Sequence, residues 1–287
     1  RQVAKELDWN IGKWYSSEVD PFAIQIANKN HTDLIQVGDV TQLQENFLKS
    51  LPKIDLLIGG SPCQGFSIAG KKLNFADNRS VLFFEFVRIL KYIQQYNNPN
   101  VKFLLENVKM KDEIANAIDN YIGVKRIYIN SKDFTGHIRK RYYWTNINVP
   151  NWSEKDIKIQ DIIDKSLPYN LNTSFLLDRT QYNPTLSRDG IITINPKDNN
   201  GKQTWQRGRI YDIRGNCPTI CATLFDLNIT EDHKNYRKLT INECEKLQGL
   251  PKDYTQGIPK TQRGKVLGNG WTKDVIKHIL RNFNTNI

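Results

Sequence analysis

The sequence predicts an α/β protein with two domains, in which a large domain built on a parallel sheet carries a smaller, irregular β-rich domain. Strand-like and helix-like segments alternate through the first half of the chain. Between about residues 149 and 236, Asn, Asp, Gly and Pro become frequent and helical periodicity is weak; helical spacing then returns near the end. Alternating strands and helices are typical of a parallel sheet with helices on both faces. The 287 residues suffice for both domains.

The first predicted elements follow from short apolar runs and one helix cap. Residues 13–17 form a strand candidate that ends at Glu18. Asp20 and Pro21 indicate the start of a helix, because an acidic cap and a proline in the first turn both favour a helix N-terminus. We expect the next strand at residues 34–37.

Three further segments complete the predicted sheet and its helices. Residues 54–58 are apolar except for Asp55 and stop at two glycines, which suits a strand buried in a sheet. Residues 80–96 carry apolar side chains at helical spacing, and residues 101–105 form another buried strand candidate. The predicted division is a large domain at residues 1–148, a small domain at 149–236, and a segment at 237–287 that packs back onto the large domain through helices at 240–247 and 273–282.

The charge balance bears on the kind of partner. The chain has 41 Lys and Arg against 30 Asp and Glu, for a formal net charge of +11. Such an excess attracts polyanions, because phosphates are drawn to Lys and Arg at long range and release counterions on contact. A Lys-rich protein without such a partner has the same composition, so charge alone leaves both interpretations open.

Cysteine usage and hydropathy bear on where the protein acts. The spacing of Cys63, Cys217, Cys221 and Cys244 does not suggest a disulfide framework, which favours a reducing compartment. Cys217 and Cys221 are four residues apart, but no second Cys/His pair completes a zinc site, so we expect no metal. No apolar run approaches the roughly 18 residues of a membrane span, and no signal peptide is evident. We therefore expect a soluble, cytoplasmic protein.

Acidic and reactive side chains recur just after the strand candidates. Glu18, Asp39, Cys63 and Glu106 all occupy such positions. The carboxyl ends of parallel strands line the ligand crevice of an open sheet, so these four residues predict one site. Each acid alone could instead be a helix cap or a solvated charge, and for Asp39 by itself the cap is favoured.

The stretch from Gly59 to Ser67, GGSPCQGFS, is the most informative in the chain. It follows a buried strand, and Pro62 should stiffen the turn that presents Cys63. A structural cysteine is more often found within an apolar run, whereas a reactive thiol belongs in a partly exposed, electropositive setting. The pattern therefore favours a nucleophile.

This stretch resembles the catalytic loop of the cytosine-5 DNA methyltransferases. The PCQGF run is similar to the bacterial and phage enzymes, whereas RYYW at residues 141–144 and Trp271 are similar to the eukaryotic de novo enzymes. One departure is His137, where the family usually has Gln. The remaining motifs occur in the family's order, namely LENV at residues 105–108, HIRKR at 137–141, RKLT at 237–240, EC at 243–244, LQG at 247–249 with Pro251, and GNGW at 268–271.

The resemblance implies a Rossmann-like S-adenosylmethionine-dependent sheet with a target-recognition domain, and it implies the chemistry of the site. Cys63 would add to carbon 6 of a flipped-out cytosine, which makes carbon 5 nucleophilic. Glu106 would hold or protonate ring nitrogen 3. Arg139 and Arg141 would contact the base carbonyl or a phosphate.

The resemblance also implies how the cofactor is bound. Glu18 would bind the ribose hydroxyls of S-adenosylmethionine, and Asp39 the adenine amino group. The remaining surface would be lined by Pro62, Leu82 and Asn269. The family's glycine-rich loop is not found in the sequence, and residues 1–7 have the pattern of the helix that follows it. These residues therefore do not supply every part of the cofactor site that the resemblance implies, and we expect them to bind S-adenosylmethionine more weakly than a chain that includes the loop.

Residues 206–211 and 214–219 resemble the two recognition loops of the family. Arg209 is the candidate reader of guanine, because Arg bound through two donors is the commonest specific base contact. Lys202, Arg207 and Arg214 are candidate phosphate contacts, although each could be a solvated loop charge. The other candidate DNA contacts are Gln64, Ser67, Gln206 and Thr219. We expect a monomer that binds duplex DNA, with a cognate restriction endonuclease as a candidate partner.

Two alternatives differ in substrate or in activity. One is an RNA (tRNA) cytosine-5 methyltransferase of similar fold, which the long segment at residues 149–236 disfavours. The other is a catalytically silent DNA-binding homologue, which the presence of Cys63, Glu106, Arg139 and Arg141 disfavours.

Overall fold

The computed structural model describes residues 1–60, 78–173, 180–223 and 225–283. The α-helices within these ranges are α1 (Gln2–Glu6), α2 (Pro21–Asn30), α3 (Glu45–Ser50), α4 (Asn78–Tyr96), α5 (Asp112–Ile122), α6 (Ile159–Ile162), α7 (Ile241–Leu247), α8 (Lys260–Asn269) and α9 (Lys273–Leu280). The strands are β1 (Trp14–Ser16), β2 (Leu34–Gln36), β3 (Leu56–Gly60), β4 (Lys102–Val108), β5 (Ile127–Asn130), β6 (Lys140–Thr145), β7 (Leu171–Asn172), β8 (Thr180–Gln181), β9 (Thr185–Leu186), β10 (Ile192–Thr193), β11 (Lys197–Asp198), β12 (Ile210–Asp212), β13 (Asn228–Thr230) and β14 (Asn235–Lys238).

Two helix starts show how side chains fix the boundaries of these elements. Asp20 caps α2 as predicted, since its carboxylate accepts hydrogen bonds from the backbone N–H groups of Phe22 and Ala23. Thr240 caps α7 by accepting from the backbone N–H of Glu243, whose carboxylate accepts from the backbone N–H of Thr240 in return. This reciprocal capping box satisfies two N–H groups that would otherwise lack helical partners.

The strands of the first half form two sheets. β1 and β2 pair in parallel, and a separate four-stranded sheet has the order β3-β4-β6-β5. β3 and β4 are parallel, but β6 is antiparallel to both β4 and β5. The sheet is therefore mixed, with β6 antiparallel to its neighbours, rather than parallel throughout. The physical reason is the short connection from β5 to β6, which cannot make the long crossover that parallel neighbours need.

A cleft runs between these two sheets. Trp14 and Tyr15 of β1 line this cleft of about 920 Å³, and so do Leu57 and Ile58 of β3. Among the described strands, β1 pairs only with β2, and β3 pairs only with β4. Each of the two strands therefore has an edge without a described neighbour, and both border the same cleft.

Strand β3 lies further along the chain than the sequence predicts. It begins at Leu56 and includes both glycines, which pair with Leu105 and Glu106 of β4. The glycines fit here because a Cβ on Gly59 would lie 2.7 Å from Cδ2 of Phe86. Glycine in this strand therefore marks close packing rather than the end of the strand.

Helices cover both faces of the four-stranded sheet, as predicted. Leu104 and Leu105 are adjacent in β4 and both fully buried, yet they belong to different core clusters, because successive side chains point to opposite faces. Leu105 packs in the cluster that holds side chains of α4 and α5, and Leu104 packs with α9. Residues near the C-terminal end of the chain thus help to bury the sheet.

The region rich in short strands forms a six-stranded sheet with the order β7-β14-β13-β12-β10-β9, and β8 pairs with β11. Its core includes Tyr211 of β12 and Ile229 of β13, packed with Ile159 of α6 and Leu247 of α7. β12 and β13 are parallel, while the other pairs are antiparallel. Within the described parts of the chain, no helix has both the length and the apolar character to cross a membrane.

Candidate active site

Glu106 lies at the centre of the site. The sequence places it just after a strand, but the structure places it within β4, between Gly60 of β3 and Tyr143 of β6. Its side chain is buried, and Nε of Arg141 lies 2.6 Å from its Oε1 atom. The strand is longer than predicted because β6 pairs with it as far as Val108.

Trp271 also belongs to this site, although the sequence alone does not predict its contact with Glu106. Its indole N–H donates a hydrogen bond to the Glu106 carboxylate. A Cβ on Gly60 would lie 3.0 Å from the indole Nε1 and 3.3 Å from Oε2 of Glu106, so the strand has little room for a larger residue. The GNGW run contained the signal, but only the fold shows that its tryptophan reaches the glutamate.

Arg139 approaches the same region from the segment before β6. Its side chain is buried, its NH2 group donates to the backbone carbonyl of Gly270 at 2.8 Å, and its backbone N–H is held by Oδ1 of Asn130. Burial, with the nearby charge of Arg141, lowers the pKa of Arg139 to about 10. A pKa near 10 keeps the guanidinium charged at neutral pH.

The protonation of Glu106 reflects opposing influences. Burial raises the pKa of its carboxyl group, while the charges of Arg141 and Arg139 and the hydrogen bond from Trp271 act in the other direction. The net result is a carboxyl group that takes up a proton at higher pH than an exposed glutamate does. This property suits a group that passes a proton to a substrate.

His137, which replaces the usual glutamine, is fully buried beside these arginines. Burial and the charges of Arg139 and Arg141 lower the pKa of His137 to about 3, so the ring is neutral at physiological pH. Its Nδ1 atom lies 3.2 Å from Oγ1 of Thr135. The residue also pairs through its backbone with Cys217, which joins this segment to the region of short strands.

The predicted nucleophile, Cys63, lies outside the described residues, as do Pro62, Gln64 and Ser67. The three described cysteines can be judged as alternative nucleophiles by their burial and by the pKa of the thiol. Cys217 and Cys244 are buried, and burial raises the pKa of each thiol. Neither has the exposed, electropositive setting of a reactive cysteine. Cys221 is half-buried, and its Sγ lies 3.5 Å from the backbone carbonyl of Thr219.

The cleft between the two sheets carries both acids predicted to bind the cofactor. Oε1 of Glu18 accepts from the backbone N–H of Val19 at 2.8 Å, and Oδ1 of Asp39 accepts from that of Thr41 at 2.9 Å. Both carboxylates line the cleft, together with Leu82. Two carboxylates oriented by backbone bonds fit a ligand that presents hydroxyl and amino groups, as S-adenosylmethionine does.

Asn269 is placed differently from the other predicted cofactor residues. It is exposed at the end of α8 and does not belong to the described cleft lining. The next residue, Gly270, contributes its carbonyl to Arg139 instead. In the described structure this motif therefore contacts the Glu106 site rather than the cleft.

The predicted recognition residues have partners within the protein. Arg209 donates from Nε to the carbonyl of Thr204 at 2.8 Å, which leaves other donors of its guanidinium for a ligand. Gln206 is half-buried in the short turn before it. Thr219 donates its hydroxyl to the carbonyl of Ile138 at 2.6 Å, so it positions the chain next to Arg139.

The candidate phosphate contacts also differ from one another. Lys202 and Arg207 are exposed. Arg214 donates from Nε to the buried carboxylate of Asp212 at 2.8 Å, and its NH2 group contacts His233 at 3.1 Å. These contacts fix the direction of a side chain that is still largely exposed.

The fold is shared with known methyltransferases. The S. pombe Dnmt2 methyltransferase superposes with a TM-score of 0.68 at 16% identity, covering 98% of this chain and 95% of that one. A model of the C-5 cytosine-specific DNA methylase family matches residues 8–117 and 121–285. The chain therefore belongs to that family, and the resemblance and fold class drawn from the sequence are confirmed.

Two bacterial relatives give the degree of similarity. The Type II methyltransferase M1.ScrFI of Lactococcus lactis subsp. cremoris is 31% identical over 277 residues, which cover 89% of this chain and 67% of the relative. The Type II methyltransferase M.HhaI of Haemophilus parahaemolyticus is 28% identical over 301 residues, which cover 95% of this chain and 88% of the relative.

Proposed function

We propose that this protein transfers a methyl group from S-adenosylmethionine to carbon 5 of a flipped-out cytosine in a specific duplex DNA sequence, through a covalent Cys63 adduct at carbon 6. The observation that carries the proposal is the buried pair of Glu106 and Arg141. It lies beside Gly60, the strand residue three positions before Cys63, in a chain of this family.

The proposed role of each residue follows from the negative charge that develops on the cytosine ring during the reaction. Carbon 5 of cytosine becomes nucleophilic when the Cys63 thiolate adds to carbon 6 and negative charge develops in the ring. Glu106, with its raised pKa, donates a proton or a hydrogen bond to ring nitrogen 3 and offsets this charge. Arg139 and Arg141 present guanidinium groups, which suit the base carbonyl or an adjacent phosphate.

S-adenosylmethionine, when bound, supplies an electrophilic methyl group on a sulfonium centre. Carbon 5 takes that methyl group, then loses its proton to a base, and the carbon–sulfur bond to Cys63 breaks to restore the aromatic ring. Glu18 and Asp39 hold the ribose hydroxyls and the adenine amino group in this proposal, because both line the cleft. Leu82 contributes apolar surface on the same lining.

Two experiments test the proposal. Bisulfite sequencing of DNA from cells that express the protein should reveal methylation at one sequence, and Cys63→Ala should abolish it. Duplex DNA with 5-fluorocytosine at that site should trap the wild-type protein covalently, because fluorine does not leave as a proton does. Cys221→Ala is the matched control, since Cys221 is the half-exposed thiol among the described cysteines, and this variant should still be trapped.

Three outcomes would contradict the proposal. Methylation by Cys63→Ala would show that the assigned nucleophile is wrong. Loss of trapping in Cys221→Ala alone would assign the adduct to that thiol. Methyl transfer to tRNA in place of duplex DNA, measured in parallel with the same protein, would replace the proposed substrate.

A further inference from the structure

A short turn in the region of short strands presents a tryptophan to solvent. Trp205 is 88% exposed, more than the other exposed large apolar side chains of the described residues. It directly precedes the turn Gln206–Gly208. A single exposed apolar residue is common on protein surfaces, so its setting must decide whether it has a role.

The backbone that carries Trp205 is firmly held. The N–H of Gly208 donates to the carbonyl of Trp205 at 2.8 Å. The buried side chain of Asn195 donates to the carbonyl of Gly208 at 2.8 Å, and that of Asn228 donates to the carbonyl of Arg207 at 3.0 Å. Two buried amide side chains thus fix the backbone of this turn, although the Trp205 side chain itself packs against little of the protein. A side chain held in this way is preorganised for binding, because less conformational entropy is lost when a ligand binds.

The charges around the turn indicate the kind of ligand. Lys202 and Arg207 are exposed on either side of Trp205 in sequence, and the chain as a whole carries a net charge of +11. Cations that flank an aromatic ring suit nucleic acid, because the cations meet phosphates while the ring stacks on a base.

The turn is also connected to the Glu106 site. NH2 of Arg207 donates to the carbonyl of Thr223 at 3.4 Å. Two residues earlier, Cys221 acts to raise the pKa of Arg139, and the hydroxyl of Thr219 donates to the carbonyl of Ile138, the residue before Arg139. The same short segment therefore contacts both the turn and the neighbourhood of the catalytic arginine.

We propose that Trp205 stacks on a base of the duplex beside the target cytosine and supports the opened base pair. This inference rests on the proposed function, because it requires duplex DNA as the substrate. Extruding a base from the stack costs free energy, and an inserted apolar side chain can hold the unstacked step open. Stacking on an aromatic ring would offset part of that cost.

The first test follows Trp205 directly and does not need methyl transfer. The difference in acrylamide quenching of tryptophan fluorescence between wild type and Trp205→Phe reports the exposure of this indole. The difference should be large in the free protein and should disappear when a duplex carrying the methylated sequence is bound. Quenching that persists with DNA bound would overturn the proposal.

The second test measures the opening of the base pair. Trp205→Ala should bind and methylate a fully paired target about tenfold less well than wild type, the range expected for loss of one stacked base. The deficit should largely vanish on a duplex whose target cytosine is mismatched, since that base is already easier to extrude. On the fully paired target, the binding and methylation of Trp205→Phe should lie between those of wild type and Trp205→Ala.

Leu186→Ala is the matched control, because Leu186 is a large apolar side chain of the same region and 72% exposed. It should behave as wild type on both duplexes. An equal loss for Trp205→Ala on paired and mismatched targets would overturn the role in opening. A wild-type protein that neither binds nor methylates duplex DNA would instead overturn the proposed function, so the two failures are distinct.

Discussion

At the scale of single residues, a carboxyl group inside a buried strand is costly unless polar groups surround it. Glu106 meets that condition through Arg141, through the indole of Trp271 and through the nearby charge of Arg139. These three neighbours come from two other motifs, at residues 137–141 and 268–271, which lie far from Glu106 in sequence. The site therefore depends on the fold to give Glu106 its proton affinity.

Replacing Glu106 with Gln keeps the shape of the side chain but removes its titrating group. We expect methyl transfer to fall by roughly 10²- to 10⁴-fold, the usual contribution of a positioned acid or base. Steady-state transfer of labelled methyl groups to duplex DNA would measure this. Glu113→Gln, at an exposed position in α5, should retain full activity, and a Glu106→Gln rate within a few-fold of wild type would contradict the assigned role.

Replacing Arg141 with Gln removes the charge nearest to Glu106, so the pKa of Glu106 should rise further above its ordinary value. Carbon-13 NMR of the carboxyl group, assigned by comparison with Glu106→Gln, would follow the titration. Lys140→Gln removes the adjacent charge, which pairs with Asp189, and should leave the Glu106 titration nearly unchanged. A fall in the pKa of Glu106 in Arg141→Gln would contradict this account.

The same raised pKa predicts how stability depends on pH. A carboxyl group whose pKa is higher in the folded state contributes stability at pH values below its unfolded pKa, and this contribution is lost as the pH rises through the folded pKa. Glu106→Gln should therefore lose less stability than wild type between acidic and neutral pH. Denaturant unfolding at several pH values would measure the difference.

Sequence motifs identified Glu106, Arg139 and Arg141, and the structure brings all three together. The GNGW motif contains Trp271, but the sequence alone does not bring it to Glu106, because that contact depends on how α8 and α9 pack. The sequence predicts Asn269 in the cleft, whereas it does not line the cleft in the described structure. A motif indicates which residues matter, whereas the direction of each side chain is a tertiary property.

At the scale of elements, the start of α7 combines a helix cap with a buried ion pair. Both NH groups of Arg237 bind the carboxylate of Glu243, at 3.0 and 2.7 Å, and the same carboxylate holds the backbone of Thr240. The guanidinium also lies over the ring of Tyr169. The RKLT and EC motifs are thus explained by a single cluster that anchors this helix.

Glu243→Gln should destabilise the fold, because it leaves the buried Arg237 charge without its partner. Breaking a buried pair on one side costs about 3–5 kcal/mol, and denaturant unfolding would measure it. The matched control is Lys238→Ala, which removes a largely exposed partner of Asp226. Such surface pairs contribute about 0–1 kcal/mol, so comparable losses in the two variants would contradict the proposed anchor.

Local signals predicted some elements and missed others. The cap of α2 was visible because Asp20 and Pro21 act on neighbouring backbone groups. α8 was missed, since it is polar and contains glycines at positions that pack. A Cβ on Gly264 would lie 1.9 Å from Cδ1 of Phe225, and one on Gly268 would lie 2.1 Å from the backbone N of Ala222. The glycines of α8 are therefore explained by its close packing against Ala222 and Phe225, which the apolar spacing of the helix does not reveal.

At the scale of the whole molecule, the region of short strands is attached next to Arg139. Ile138 receives a hydrogen bond from the hydroxyl of Thr219, and its N–H donates to the carbonyl of Cys217 at 2.8 Å. Arg139 follows directly in the chain. A conformational change in this region can therefore reach Arg139 through the two hydrogen bonds at Ile138.

Substitutions of Arg209 and Lys202 should distinguish sequence-specific recognition of DNA from sequence-independent binding to its phosphates. Arg209 is held through Nε by Thr204, and a good contact of Arg with guanine discriminates by about 1–3 kcal/mol. Arg209→Ala should therefore relax the sequence preference at one base pair, as methylation of a randomised duplex library would show. Lys202→Ala should weaken binding on all sequences and flatten its salt dependence. If the sequence preference of Arg209→Ala is unchanged, Arg209 contacts the DNA backbone rather than a base.

The cleft that Glu18 and Asp39 line has a consequence for the stability of the protein. A small molecule that binds the folded protein and not the unfolded chain raises the free energy of unfolding by mass action. Both carboxylates are already oriented by backbone hydrogen bonds. Thermal unfolding should therefore shift to higher temperature as the concentration of S-adenosylmethionine rises, and an unchanged midpoint would show that the cleft does not hold this molecule.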